Sequence, residues 1–182
     1  MDIKLSHLFG IALAVISFST FAEEPPKKDP FSISTNGFLD QGTLPVLYTC
    51  DGKDESPQLS WTNAPEKAKS FALIVSDKDA PDGVFYHWVV FNVPKNVDNF
   101  PQAMKNAPAG AAIGTNSFQK QQYSGPCPPK GSAHTYFFKL YALDDKLSLP
   151  KNADAPSILK AIEKHVVGET ELSVVYSRWI NS

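Results

Sequence analysis

The sequence predicts a mainly β protein built from packed antiparallel sheets. About seven segments have strand character, one segment has helical periodicity, and strands do not alternate regularly with helices. With 182 residues, 42% hydrophobic and 20% charged, the composition suits one compact domain. The net charge of −2 offers no basic face for nucleic acid, so no nucleic-acid partner is expected. A local site for a small anion remains compatible with this charge.

Three central strands stand out by their composition. Residues 70–76 and 86–93 are nearly continuously apolar, and residues 134–143 are rich in aromatic and β-branched side chains. The shorter strand candidates are 31–35, 44–49, 58–62 and 171–177. The stretch 95–134 is irregular and rich in Pro, Gly, Ala and Asn, and a loop of this length in a compact domain is usually functional.

One helix is predicted near the C-terminus. Asp154 can cap it, Pro156 suits its first turn and Gly168 can end it. Its apolar face would hold Ile158, Leu159, Ile162 and Val166. His165 would then lie on the helix surface without a functional role.

The N-terminal segment is typical of an export signal. Lys4 precedes an apolar run of 11 residues, Leu8–Phe18, and small or polar residues follow up to Ala22. Cleavage after Ala22 would leave a polar leader, 23–29, and a domain over 30–182, in the periplasm or secreted. The run is short for a membrane span, so no span is expected in the mature form, although an uncleaved anchor is the alternative. No cysteine follows the signal, so no lipoprotein acylation site is expected.

Export gives the two cysteines a structural meaning. In an oxidising compartment an isolated pair, here Cys50 and Cys127, most simply forms a disulfide. The alternative is two free thiols. The loop that the bond closes is long, and the chain-entropy model predicts a stabilisation of roughly 4–5 kcal/mol.

Four polar side chains stand at the ends of the predicted central strands. Asp77 ends one strand, His87 begins the next, and His134 and Tyr136, two residues apart on a third, point to the same face. If these strands are neighbours, the four groups meet at one end of the sheet. Imidazoles and a phenol can donate hydrogen bonds to an anion, and backbone N–H groups in the turns at Gly125 and Gly131 could add more.

Other chemistries are less well supported. Two histidines and Asp77 could form an open metal site, but no short spacing of metal ligands occurs, and no metal or cofactor is expected. The sequence has no G-x-S-x-G elbow for a serine nucleophile. A proline-rich connection with a half-buried histidine is the plain structural interpretation of residues 125–136.

Four motifs resemble the phosphatidylethanolamine-binding protein family, in particular its bacterial Raf-kinase-inhibitor-like branch. They are Ser56–Trp61 (SPQLSW), Asp77–Pro81 (DKDAP), His87–Pro94 (HWVVFNVP) and Gly125–Tyr136 (GPCPPKGSAHTY), and the resemblance covers nearly all of 30–180. The family pattern is D-P-D-A-P, so Lys78 replaces a proline and makes the turn less rigid.

The resemblance implies a large central antiparallel sheet packed on a smaller sheet, one C-terminal helix and few short helices. It also implies an anion pocket near the sheet end and a cis peptide bond before Pro81. The ligand-binding residues carried over are Asp77, Asp79, Pro81, His87, Gly125, Pro129, His134 and Tyr136. Family ligands are phosphate-bearing head groups, nucleotides and simple anions, and members act mainly by binding.

The expected function is therefore that of an exported binding module, not an enzyme, for a small anion such as phosphate, phosphoethanolamine or an acetate-like carboxylate. The alternative is an inhibitor or modulator of a protease or kinase that acts through a protein surface. A weak hydrolase using Asp77 and a histidine is the third hypothesis. Anion affinity should rise as pH falls through the histidine pKa, and either His87→Ala or His134→Ala should weaken binding by roughly 1.5–3 kcal/mol without loss of the fold.

Overall fold

Two β-sheets and one α-helix form the fold in the computed structural model, which describes residues 29–179. The small sheet has the order β1–β3–β6 and the large sheet the order β2–β9–β8–β4–β5–β7. The strands of the small sheet are β1 (Ser32–Ser34), β3 (Leu59–Thr62) and β6 (Asn99–Phe100). Those of the large sheet are β2 (Gly42–Thr43), β4 (Ser70–Asp77), β5 (Phe85–Pro94), β7 (Ala112–Ile113), β8 (Ala133–Leu143) and β9 (Val166–Ser177). Neighbouring strands are antiparallel except β2 and β9, so the predicted two-sheet β fold is confirmed.

Strand β4 is buried along its whole length because both faces of the large sheet are covered. Its odd-numbered residues, such as Leu73, belong to the core shared with the small sheet, where Trp61 and Phe100 also pack. Its even-numbered residues, such as Ile74, pack in a second core with Ile158 of the helix. This two-sided burial explains why the strand has no polar alternation.

The helix α1 (Ala155–Ile162) begins as predicted and ends earlier. The Asp154 carboxylate accepts from the Ser157 backbone N–H at 3.0 Å, which confirms the N-cap. The predicted extension to Gly168 is wrong, because Val166 and Gly168 already pair with β8 in strand β9. His165 therefore lies beyond the helix, where its Nδ1 is 2.9 Å from a carboxylate oxygen of Asp144.

The strand predicted over residues 44–49 is also wrong. The backbone N–H of Leu44 makes the last bond to β9, to the Val175 carbonyl at 2.8 Å. Pro45 has no N–H with which to continue the ladder. A 3₁₀ turn, Val46–Tyr48, follows instead. The irregular stretch 95–134 contains the two short strands β6 and β7 as well as the start of β8.

The predicted disulfide between Cys50 and Cys127 is confirmed, with the two Cα atoms 5.4 Å apart. It ties the loop after the 3₁₀ turn to the proline-rich loop before β8. The predicted signal peptide, residues 1–22, and nearly all of the predicted leader lie outside the described residues. Within residues 29–179, no helix has the length and apolar character needed to cross a bilayer.

Candidate functional site

Three adjacent strands bring the predicted polar side chains to one end of the large sheet. Asp77 at the end of β4 is opposite Tyr136 of β8 on one side and Phe85 of β5 on the other. The side chains of Asp77, His87, His134 and Tyr136 then line one cavity of about 330 Å³. The rest of the lining, called the rim here, is mostly apolar and includes Pro81, Val84, Phe85, Phe118, Pro128 and Pro129, with Asp82 as its charged member.

Asp77 and His134 form a buried pair at the floor of this pocket. The Asp77 Oδ2 atom is 2.7 Å from His134 Nδ1, and both residues are less than a tenth exposed. The second carboxylate oxygen accepts from the Asp79 backbone N–H at 2.8 Å. Since a carboxylate accepts, Nδ1 of His134 carries the proton, and Nε2 is the nitrogen left to contact a ligand.

His87 is held by a different kind of partner. Its Nδ1 lies 2.7 Å from the Ser124 carbonyl oxygen, which can only accept, so Nδ1 carries a proton here as well. Burial lowers the pKa of His87, against the opposing effects of the Ser124 hydrogen bond and the Asp77 charge. The neutral ring therefore presents Nε2 as a hydrogen-bond acceptor.

The Tyr136 hydroxyl is an unpaired hydrogen-bond donor at the floor of the pocket. Its side chain is fully buried, and its hydroxyl has no hydrogen-bond partner in the described part of the chain. Burial and the nearby Asp77 charge raise its pKa, so the hydroxyl keeps its proton. Asp77 raises this pKa by its charge and as a nearby hydrogen-bond acceptor, although the carboxylate and the hydroxyl do not form a well-aligned hydrogen bond.

The loop before the proline-rich segment is organised by Asn116, which the sequence analysis did not identify. Its side-chain amide donates to the His87 carbonyl at 3.2 Å and to the Ser124 hydroxyl at 3.1 Å. Its oxygen accepts from the Phe118 backbone N–H at 3.0 Å. Asn116 thereby links the backbone of His87 to Ser124, whose carbonyl holds the His87 ring, and to the backbone of Phe118.

Two aromatic residues of the pocket were also missed. Phe85 and Phe118 meet edge to face with ring centroids 4.8 Å apart, and each lies against the His87 ring. Phe85 directly precedes the predicted strand at 86–93, which was a usable signal. Phe118 lies in the irregular stretch, where no local pattern distinguishes it.

Two of the predicted ligand residues lie outside the pocket lining. The Gly125 backbone N–H donates to Asp54 Oδ1, so it is not available to a ligand. Asp79 accepts from the Thr135 backbone N–H at 2.8 Å and braces the turn instead. Gly125 needs to be glycine for packing, because a Cβ atom there would overlap the Tyr48 carbonyl oxygen.

The turn after β4 departs from the expectation in one further respect. The bond before Pro81 is trans, so the cis bond implied by the family resemblance is wrong for this chain. Pro81 still lines the pocket, as does Pro129. The Lys78 ammonium lies 3.9 Å from the centroid of the Phe137 ring and makes a cation–π contact away from the pocket.

Lowering the pH is expected to destabilise the protein through His87. Above its unfolded pKa of about 6.5 the ring is neutral in both states. Below that value His87 of the unfolded chain becomes protonated, whereas the buried ring of the folded protein stays neutral until a lower pH is reached. The unfolded state is therefore favoured, and the free energy of unfolding falls by up to about 1.4 kcal/mol per pH unit. Urea unfolding between pH 5 and 7.5, compared with His87→Asn, measures this contribution.

The Asn variant can still donate to the Ser124 carbonyl and does not titrate. The difference in stability between wild type and variant should therefore shrink as pH falls. Parallel pH profiles would contradict the role assigned to His87.

A two-sheet β fold with a polar pocket at one end of its central sheet defines the structural class. The family model described as phosphatidylethanolamine-binding protein matches residues 34–177, and the chain belongs to this family. An archaeal relative from Methanothermobacter thermautotrophicus, named UPF0098 protein, is 45% identical over 81% of this chain and 99% of its own length.

Two further relatives have more informative names. A protein of Mycobacterium tuberculosis with the provisional name lipoprotein LppC is 35% identical over 81% of this chain and 72% of its own length. The crystal structure of YbcL from E. coli, described as a member of the mammalian PEBP family, superimposes with a TM-score of 0.78. It is 31% identical and covers 82% of this chain and 99% of its own.

Proposed function

We propose that this chain is a binding protein for a small oxyanion of the phosphate, phosphoethanolamine or acetate type. The observation that carries the proposal is the buried Tyr136 hydroxyl, a donor with no protein acceptor, at the floor of an open pocket. A buried donor without a partner costs free energy that an acceptor from a ligand recovers. Nε2 of His87 and of His134 complete a set of groups that can contact the same ligand.

The size and rim of the pocket favour a head group over a larger ligand. A volume of about 330 Å³ lies at the lower end of the range for small-molecule sites. The apolar rim, which includes Phe85 and Phe118, suits an organic substituent attached to the anion. Rigid proline walls at Pro81 and Pro129 reduce the ordering entropy lost on binding.

Binding is favoured over hydrolysis by the state of Asp77. A hydrolase would use this carboxylate as a base, yet both of its oxygens already accept hydrogen bonds, from His134 and from the Asp79 N–H. Within residues 29–179, no three His, Cys, Asp or Glu side chains are grouped closely enough to hold a metal ion. The proposed role is therefore non-enzymatic.

We propose that the protein is periplasmic or secreted, and that the mature chain begins near Glu23 with a short leader, 23–29, before the domain over 30–182. The disulfide is typical of an oxidising compartment. The lipoprotein name of the mycobacterial relative and the apolar run Leu8–Phe18 agree with export. Intact-mass analysis of the exported protein tests this, and retention of residues 1–22 would contradict it.

Calorimetric titration with phosphate, phosphoethanolamine and acetate tests the proposed binding. His134→Asn is the informative variant, since the Asn amide can still donate to Asp77 while Nε2 is lost. His134→Ala would instead leave the buried Asp77 carboxylate unpaired and destabilise the fold, so a loss of affinity could not be separated from a loss of folded protein. We expect wild type to bind and His134→Asn to lose about tenfold or more in affinity, because an imidazolium of His134 that is ion-paired with Asp77 would donate from Nε2 to the anion.

His165→Asn is the matched control, because His165 also pairs with an aspartate but lies away from the pocket. It should bind like wild type. Failure of folded wild type to bind any of the three anions at millimolar concentration would reject the proposal. Equal affinity in wild type and His134→Asn would favour the protein-surface alternative, an inhibitor of a protease or kinase.

A further inference from the structure

The proposed anion pocket contains no fixed positive charge. No lysine or arginine lines it among residues 29–179, whereas the carboxylates of Asp77 and Asp82 do. The Asp54 charge also acts on His87. Lys78, which is near in sequence, lies on Phe137 and away from the cavity. An ionised ligand would therefore meet a negative local field unless a pocket residue becomes positive.

Among the lining residues that the structure describes, only His87 and His134 can supply that charge, and they are not equivalent. His134 already lies against Asp77 at 2.7 Å, so a proton on its ring would be balanced by the carboxylate. His87 has a neutral carbonyl partner on Nδ1, and its ring is otherwise surrounded by Phe85, Phe118 and Tyr136. A proton on His87 would therefore leave a positive charge for the ligand.

The geometry also fixes where such a proton must bind. Nδ1 of His87 already carries a hydrogen because the Ser124 carbonyl can only accept. The second proton must therefore enter at Nε2, the other ring nitrogen. In the neutral ring Nε2 is a lone-pair acceptor, which repels the oxygens of an anion, and in the imidazolium it is a charged donor.

We propose that a fully ionised oxyanion binds this pocket together with one proton, which is taken from solvent at Nε2 of His87. This inference rests on the proposed anion binding and adds that the pocket must gain one positive charge for the anion to bind. Besides His87, the titratable groups around the ring are His134, Tyr136, Asp77, Asp82 and Asp54. Tyr136 stays neutral, and the charges of Asp77 and Asp54 favour protonation of the His87 ring.

Sulfate is the appropriate probe because it has no proton to lose or gain between pH 5 and 8. Titration calorimetry at pH 7 in two cationic buffers of different ionisation enthalpy measures the protons taken up without competition from buffer anions. We expect about one proton per bound sulfate, and an affinity that falls about tenfold for each pH unit above the pKa of free His87. Phosphate is titrated in parallel.

His87→Gln is the decisive variant, since its amide can place an uncharged donor near the position of Nε2. Proton uptake should fall close to zero and the affinity for sulfate should lose its pH dependence. His165→Gln removes a half-buried histidine away from the pocket and should retain the proton uptake of wild type.

The outcomes distinguish this inference from the proposed function. Sulfate binding without proton uptake, or uptake that persists in His87→Gln, would overturn the inference and leave anion binding intact. Binding of phosphate but not sulfate would also overturn it, because the proton would then reside on the ligand. Binding of neither anion would reject the proposed function itself.

Discussion

Replacing both cysteines, as Cys50→Ser with Cys127→Ser, is expected to lower the free energy of unfolding by about 4 kcal/mol. The bond joins residues 77 apart in sequence, and such a cross-link stabilises mainly by reducing the conformational entropy of the unfolded chain. This is a large fraction of the stability of a typical domain. Urea unfolding of wild type and the double variant at equal temperature and pH measures the loss.

The reduced wild-type protein serves as the control, since it should be about as unstable as the variant, whereas reductant should not affect the variant. Removing the disulfide should change the geometry of the pocket less than it changes the stability of the protein. The loop from Gly125 to Cys127 keeps its hydrogen bonds to Asp54 and to the Cys50 N–H, which donates to Pro126 at 3.2 Å. A stability loss below about 1 kcal/mol would contradict the loop-closure account.

The parts of the fold that were predictable have local or highly repetitive signals. Strand β4 is continuously apolar because it is buried on both faces, and Asp154 caps the helix through a residue only three positions away. The errors arose where tertiary pairing decides the structure. The helical pattern through Val166 was overridden by the ladder between β8 and β9, and the strand predicted after Leu44 was interrupted by Pro45.

The residues of the site also divide into those that the sequence could predict and those that depend on tertiary contacts. Asp77, His87, His134 and Tyr136 were identifiable because polar groups at the ends of central strands meet when those strands are adjacent. Asp79 was placed in the ligand set by motif alone, and Gly125 by motif and as a turn glycine whose backbone N–H could donate. Their hydrogen-bonding groups are used by Asp54 and Thr135, which lie 71 and 56 residues away in sequence.

Asn116 shows a similar effect in the loop that holds His87. An asparagine in a loop predicts a local turn, and it does accept from the nearby Phe118 N–H. Its contact with the His87 carbonyl spans 29 residues and depends on how the loop crosses β5. The sequence therefore indicated which strands carry the polar floor, and the loops that hold it required the structure.

Tyr136→Phe is expected to weaken anion binding while leaving the free protein as stable as wild type or up to about 1 kcal/mol more stable. The hydroxyl is buried without a partner, so in the free protein it contributes a desolvation cost and no hydrogen bond. In the complex it would donate to the anion, and its loss should reduce phosphate affinity by about tenfold or more. Urea unfolding without ligand and calorimetric titration with phosphate measure the two effects separately.

Tyr123→Phe is the matched control for a buried tyrosine outside this pocket. The Tyr123 hydroxyl donates to the Tyr48 carbonyl at 2.6 Å, so its removal leaves a buried acceptor unpaired and should destabilise the protein by about 1–3 kcal/mol. Phosphate affinity should stay unchanged in that variant. Opposite signs of the stability change in the two variants, with an affinity loss only in Tyr136→Phe, would indicate that the Tyr136 hydroxyl serves the ligand and not the fold. Destabilisation by Tyr136→Phe with unchanged affinity would contradict this role and remove the main support for the anion site.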